Sequence, residues 1–351
     1  MITIKEMAEM LGISTTTVSN VINGKTSEVS QKTAEKVQKL LDEYDYVPNM
    51  NAKNLAQNYS RLIGIVLKRR KDKYENIFTD PFHGELLGAL ESSIREQGYY
   101  MMIYISEDIE EIVRNIVGWN TEGLILIDML HDDYLKIRSK YKKPAVLIDS
   151  YTPKNIARYV NIGLDDEEGG YLMTKYLLDC GHRKIAFLAD NMEGVDYIRY
   201  TGHQRALQEY GLDIDLDNLI VIRPSKYERQ GNMEEIYAVA HKFTAFMCCS
   251  DYYAVTLMKY LKAKGIRFPE DLSITGFDDN LYAQLACPSL TTIHQDIFQR
   301  GTIAAEYLFK MIDGWNPKTT NLSLPVRLVV RDSVKILNPP EDDSSDDSSA
   351  L

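Results

Sequence analysis

Little in this sequence suits redox, metal or phosphate chemistry. Four cysteines occur in 351 residues, at Cys180, Cys248, Cys249 and Cys287, and none forms a CxxC pair. Cys248 and Cys249 lie in an apolar, strand-like run, so the set reads as buried, reduced thiols of a cytoplasmic protein. The six histidines (His83, His131, His182, His203, His241 and His294) form no HxxxH or HExxH cluster, which argues against a metal site. No GxGxxG follows a strand-like run, and GxxxxGKS/T and GxSxG are missing. An α/β enzyme is therefore not expected, and neither is a cofactor. No run of about 18 apolar residues exists, so no membrane-spanning helix is expected. The opening MITIKEMAEM lacks a basic region ahead of an apolar one, which reads against a secretory leader and for the cytoplasm.

Positive charge is also scarce. The net charge is −11. Within residues 1–60, Lys5, Lys25, Lys32, Lys36, Lys39 and Lys53 face Glu6, Glu9, Glu28, Glu35, Asp42, Glu43 and Asp45. Bulk electrostatics alone predicts no affinity for nucleic acid, so any such affinity must rest on local geometry.

The length implies two or three domains. Residues 1–47 read as three short helices. Thr3 and Glu6 form a capping box for a helix through Met10, Gly12 marks a tight turn, and Ser14 caps a second helix to about Ile22. Asn23-Gly24 ends it, and Ser30 caps a third helix whose Ala34, Val37, Leu40, Leu41 and Tyr44 form one apolar face. Residues 48–60 read as a polar linker. From Leu62 onward, strand-like apolar runs alternate with amphipathic helices. The strands expected are 62–67, 100–105, 123–127, 145–148, 159–162, 185–189, 219–222, 245–249, 273–277 and 291–294. The helices expected include 82–97, 167–179, 199–210, 253–264 and 297–312. This pattern implies α/β architecture with two doubly wound parallel-sheet subdomains, the strands being too many for one ordinary sheet. The acidic, serine-rich tail 339–351 is expected to be disordered.

The first two helices meet the requirements of a helix-turn-helix. Ala8 is the small contact residue, Gly12 makes the turn, and Leu11, Ile13, Val18 and Val21 are the apolar positions. The second helix would then enter the major groove by its N-terminal end, presenting Thr15, Thr16 and Thr17, with Asn20 one turn later. Asn20 can bond adenine in bidentate fashion. Thr15 and Thr16 read equally as solvated helix surface, and Thr17 and Ser19 suit phosphate positioning better than base reading.

TIKEMAEMLGISTTTVSNVINGK followed by YVPNMNAKNLA is similar to the headpiece and hinge of the lactose-repressor (LacI/GalR) family. The likeness extends over about residues 2–338 through IGIV at Ile63–Val66, DPFHGELLGALE at Asp80–Glu91, GHRKIAFLA at Gly181–Ala189, GFDD at Gly276–Asp279 and LTTIHQD at Leu290–Asp296. The resemblance implies a cytoplasmic homodimer, or a tetramer, binding a pseudo-palindromic double-stranded operator. It also implies a core like periplasmic sugar-binding proteins, with a small effector in the interdomain cleft controlling DNA affinity. It divides the chain into a headpiece (1–47), a hinge (48–60) and a core (61–338). The core's first subdomain would span about 61–160 and 291–322, and its second 161–290 and 323–338. The hinge would fold on the operator and drive Leu55 into the minor groove as a wedge. The DNA-contacting set is then Thr3, Ser14, Thr15, Thr16, Thr17, Ser19, Asn20, Asn23, Asn49, Ala52 and Leu55. Many members carry arginine where this chain has Asn20, so a different operator base and a weaker salt dependence are expected.

Ligands of such folds sit at the carboxyl ends of strands. Polar residues at such ends are Asp149, Asp190, Ser250, Asp251 and Asp278, and Arg199 opens the helix after Asp190. By the resemblance, Arg199 and Asp278 match effector-bonding positions, with Asp149 and Ser250 as additions and Phe82 stacking on a ring. Carboxylates with an aromatic face suit a carbohydrate. Arg199 reads alternatively as an ion pair and Asp278 as a cap; Asp166 and Asp279 read as caps or subdomain links. The basic run Lys68–Lys73 reads as a solvated loop, or else as a selector of a phosphorylated or acidic effector. The competing functional class is a carbohydrate-binding protein without DNA activity, which leaves residues 1–55 unexplained.

Overall fold

The computed structural model describes residues 2–47, 59–68, 77–150, 159–223, 226–318 and 320–337. The contacts divide the chain into two units, Met1–Ser60 and Arg61–Leu351. The hinge positions Asn49, Ala52 and Leu55, the loop residues 69–76 and the tail from 338 lie outside the described residues.

The first unit holds α1 (Ile4–Leu11), α2 (Thr15–Ile22) and α3 (Gln31–Glu43). Each begins where a side chain can accept from an otherwise unpaired backbone N–H. Thr3 Oγ1 accepts from Glu6 N at 3.2 Å, and the Glu6 carboxylate accepts from Thr3 N at 2.7 Å. Ser14 accepts from Thr17 N at 3.1 Å and Ser30 from Thr33 N at 3.2 Å. Gly12 closes α1 at φ 62°, left-handed backbone that glycine adopts without a Cβ penalty. The core is Met7, Ala8, Val18 and Val37, flanked by Leu11, Ile13, Val21, Leu40 and Leu41. Tyr44, expected on that face, is 43% exposed, and Tyr46 packs there instead. Asp45 turns left-handed at φ 43°, and Tyr46 N donates to Leu41 O at 2.9 Å, so the chain folds back over the end of α3.

The second unit runs β1 (Leu62–Lys68), α4 (Pro81–Glu96), β2 (Tyr100–Ser106), α5 (Ile109–Gly118), β3 (Gly123–Ile127), α6 (His131–Lys140), β4 (Ala145–Ile148) and β5 (Val160–Leu164). It continues α7 (Asp166–Asp179), β6 (Ile185–Ala189), α8 (Gly194–Glu209), β7 (Leu219–Val221), α9 (Lys226–Ala240), β8 (Ala245–Cys248), α10 (Asp251–Ala263) and β9 (Ser273–Thr275). It ends α11 (Leu281–Leu285), β10 (Thr292–His294), α12 (Ile297–Ile312), β11 (Thr320–Leu324) and β12 (Arg327–Val329). The first sheet has six parallel strands in the order β11-β5-β4-β3-β1-β2, and the second has four in the order β7-β6-β8-β9. A small antiparallel pair, β10-β12, carries the chain between them. Strands β3, β4, β5, β6 and β8 are buried along their whole length, as parallel strands covered on both faces must be.

Several expectations are corrected. β5 reaches Leu164 and pairs with β4 and β11, so the first sheet extends past residue 160. Its VNIGL run fits either sheet equally, so apolarity alone could not assign it. β11 and β12 were not expected, because an alternating, half-exposed TNLSL carries only a weak apolar signal. Arg199 does not open its helix: α8 starts at Gly194. Cys180, Cys248 and Cys249 are buried thiols, but Cys287 is exposed.

Helices α7 and α8 cross at glycines. A Cβ on Gly202 would lie 1.9 Å from the Glu167 carbonyl oxygen, and one on Gly170 2.0 Å from that of Arg199. This backbone contact sets Arg199 beside the N-terminus of α7. Gly202→Ala is expected to destabilise the core by about 1–3 kcal/mol through overpacking. Denaturant unfolding checks this, and an unchanged midpoint would contradict it.

Candidate effector cavity and DNA-reading helix

A cavity of about 130 Å³ lies at the carboxyl ends of both sheets. The first sheet contributes Leu67 and Lys68 from β1, Ile127 and Asp128 from the end of β3, and Asp149 after β4. The start of α4 adds Asp80, Phe82 and His83. The second sheet's side adds Asp196 and Arg199 from α8, Cys249, Ser250, Tyr252 and Tyr253 around the start of α10, and Asp278 after β9; Gln295 follows β10. The cavity thus gathers Phe82, Asp149, Arg199, Ser250 and Asp278, the whole expected effector set.

Arg199 is the anchor of the second side. Its Nε donates to Asp166 Oδ1 at 2.8 Å and its Nη1 to the Cys249 carbonyl at 2.6 Å. Its guanidinium lies 3.5 Å from the centroid of the Phe277 ring. Burial opposes its charge, but the carboxylates of Asp166, Asp278 and Asp196 outweigh burial and raise its pKa further. Arg199 thus forms the ion pair of the alternative reading, and its side chain also lines the cavity. Asp166 is the ion-pair partner at the first residue of α7, where the helix dipole also favours a carboxylate.

A polar relay joins the two sheets. Asp149 is ion-paired with Arg300 of α12, Arg300 Nη1 donates to Gln295 Oε1, and Gln295 Nε2 donates to Asp278 Oδ1 at 2.6 Å. Burial pushes the Asp149 carboxyl up to about 6, against the pull of Arg300. Burial pushes Asp278 up to about 7, with Arg199 opposing and Asp80 adding to the rise. Both aspartates sit on left-handed backbone, at φ 54° and φ 124°. Tyr282 Oη donates to Thr79 O at 3.2 Å, a second tie between the subdomains.

The remaining walls are locally determined. Asp80 Oδ1 accepts from Phe82 N at 3.1 Å as cap of α4, leaving the Phe82 ring half-buried at the cavity, 5.6 Å from the Arg300 guanidinium. Ser250 caps α10, accepting from Tyr253 N at 3.4 Å. Asp279 holds His294 at 2.9 Å and pairs with Arg331, so it links β10 to the segment that follows β12. Lys68 reaches the cavity but is paired with Asp133. Sequence reasoning missed Gln295 and Arg300, although Gln295 stood inside the LTTIHQD motif.

On the headpiece, Thr15 and Thr16 are exposed in the first turn of α2. Thr17 is engaged with Ser14, 2.9 Å between hydroxyls. Asn23 Nδ2 donates to the carbonyl and hydroxyl of Ser19 at 2.8 and 3.2 Å. Asn20 is not a free amide: its Nδ2 donates to Glu28 Oε2 at 2.8 Å, across the turn that follows α2.

The raised Asp278 pKa carries a stability consequence. A carboxyl that holds its proton more tightly when folded destabilises the fold progressively as pH rises from its ordinary value near 3.8 to about 7. Asp278→Asn removes that penalty and keeps an oxygen to accept from Gln295. The variant's melting temperature relative to wild type is expected to rise by a few degrees between about pH 5 and about pH 8. An offset constant over that range would contradict the assignment.

Comparison with known proteins agrees with this architecture. A family model described as bacterial regulatory proteins, lacI family, matches residues 3–49, and one described as a periplasmic binding protein-like domain matches residues 174–334. The HTH-type transcriptional repressor PurR of Vibrio atlanticus is 33% identical, over 96% of this chain and 100% of that protein. The Vibrio vulnificus repressor of the same name is 34% identical, with the same coverage. The lac repressor dimer bound to operator and the anti-inducer ONPF superimposes with a TM-score of 0.79 at 25% identity, over 95% of this chain and 99% of that one. The complex of the transcriptional regulator CelR with cellobiose gives 0.70 at 26% identity, over 95% and 100%. Among the described residues no helix is long and apolar enough to cross a membrane. With its helix-turn-helix, its two parallel sheets and this likeness along nearly its whole length, the chain belongs to the lacI family of bacterial regulatory proteins, as a DNA-binding transcriptional repressor with a ligand-binding core.

Proposed function

We propose that the protein acts in the cytoplasm as a homodimer on a pseudo-palindromic operator, and that its cavity takes a small, neutral, hydroxyl-rich effector of the carbohydrate class. The observation that carries the effector reading is the cavity's charge. Among the described residues, Asp80, Asp128, Asp149, Asp196 and Asp278 line it, while the cations Lys68 and Arg199 are paired with Asp133 and Asp166. Among these described lining residues, a phosphorylated or acidic effector would meet more carboxylates than cations. Sugar hydroxyls donate to carboxylates, and sugar C–H faces pack on an aromatic ring such as Phe82. The CelR complex with cellobiose supports the same class. A purine base is the second reading, because the relatives of about one-third identity are repressors named PurR. Its N–H groups also suit carboxylates, and its plane also suits Phe82.

The dimer reading is supported by the lac repressor neighbour, a dimer on its operator. In this reading Thr15, Thr16 and Asn20 face bases, Thr3, Ser14, Thr17, Ser19 and Asn23 position the backbone, and Asn49, Ala52 and Leu55 belong to the hinge. The effector binds one arrangement of the subdomains better than the other, and this difference shifts DNA affinity.

Calorimetry with mono- and disaccharides, sugar phosphates and purine bases, followed by mobility shift on the chain's own upstream DNA, tests the assignment. A neutral sugar is expected to bind and to change DNA affinity, and Phe82→Ala to weaken that sugar about tenfold. Binding by purine bases alone would replace the carbohydrate reading. Leu55→Ala is expected to weaken operator binding while leaving effector affinity intact; unchanged operator affinity would refute the wedge.

A further inference from the structure

The Asn20–Glu28 hydrogen bond is unusual for a surface that meets DNA. A carboxylate in that position repels phosphate, and the headpiece has no surplus positive charge to offset it. Glu28 is nevertheless oriented by the fold. It ends the Thr26–Glu28 turn, and Glu28 N donates to the Lys25 carbonyl at 3.3 Å. Lys25 N in turn donates to the Asn20 carbonyl at 2.8 Å, so the turn is tied to α2 at the same residue whose side chain Glu28 holds.

We propose that Glu28 is a specificity-determining positioning residue, which fixes the Asn20 carboxamide so that it reads adenine and rejects guanine. This rests on the DNA-reading role proposed for α2. An asparagine amide has two N–H donors and one carbonyl acceptor. Glu28 takes one N–H and anchors the nitrogen end. The carbonyl and the remaining N–H then form the edge that pairs with adenine N6 and N7. A freely turning amide can instead aim its nitrogen at guanine, whose N7 and O6 both accept. The anchored amide with a carboxylate behind it gives an acceptor-rich surface, matched to bases that carry an amino group in the major groove. Glu28 thus trades overall DNA affinity for discrimination, a repulsive element that acts against wrong sites more than against the right one.

Selection of the full-length protein on a randomised double-stranded DNA pool, with wild type, Asn20→Ala, Glu28→Ala, Glu28→Gln and the double alanine variant, tests this. Wild type is expected to enrich adenine at one position of each half-site. Asn20→Ala should lower that preference about tenfold. Glu28→Ala should lower it at the same position only, and bind random-sequence DNA more tightly. Glu28→Gln, whose side-chain oxygen can still accept from Asn20, should keep the preference yet also gain random-sequence affinity. In the Asn20→Ala background, Glu28→Ala should cost nothing further. An unchanged base preference in Glu28→Ala, or an equal loss in the absence of Asn20, would overturn the inference while leaving the operator-binding reading intact. A wild-type chain that enriches no sequence would overturn that reading, and the inference with it.

Discussion

Burying charge is costly unless each group finds a partner, and the core of this protein is arranged around meeting that requirement. Arg199 and Arg300 lie inside the protein, one on each side of the junction between sheets. Arg199 meets groups from distant parts of the chain, Asp166, Cys249 and Phe277, while Arg300 pairs with the distant Asp149 and donates to the nearby Gln295. The strand ends, the α7–α8 glycine crossing and the left-handed backbone at Asp149 and Asp278 are all needed to bring these partners together. In the proposed reading a ligand in the cavity touches the same groups, and its binding energy is exchanged against the interactions that join the two subdomains.

The aspartates of this junction are held in different ways. Asp166 meets Arg199 squarely at 2.8 Å. Asp149 and Asp278 are buried with weaker compensation, and burial raises both. They are the groups with most to gain from a hydroxyl donor. This is the physical ground of the proposed preference for a neutral, donor-rich effector.

Much of the fold was legible because parallel strands buried on both faces are continuous apolar runs, and those runs stand out between amphipathic helices. β11 and β12 were not legible, because edge and connecting strands alternate in burial. The cavity was legible at Asp149, Ser250 and Asp278, which follow such strands within three residues. Arg300 was not. It occupies the first turn of α12, where a lone arginine reads as solvent-facing, and its burial depends on Asp149, far earlier in the chain. Tyr44 and Tyr46 exchanged roles for a similar reason: helical spacing predicts a face but not the residue at which the chain folds back over it. Glu28 was counted only as a charge, because its partner lies eight residues away across a turn, outside helical spacing.

The same distinction between net charge and placed charge governs the DNA-reading end. Nonspecific binding draws on released counterions and so on surplus cations, which residues 1–60 lack. What remains is geometry: α2 capped at Ser14, Thr15 and Thr16 exposed on its first turn, and an amide held in one orientation. A headpiece of this composition gains little from DNA in general. Its binding energy must come from contacts that only the matching bases complete, and this makes a single hydrogen bond between Asn20 and Glu28 consequential.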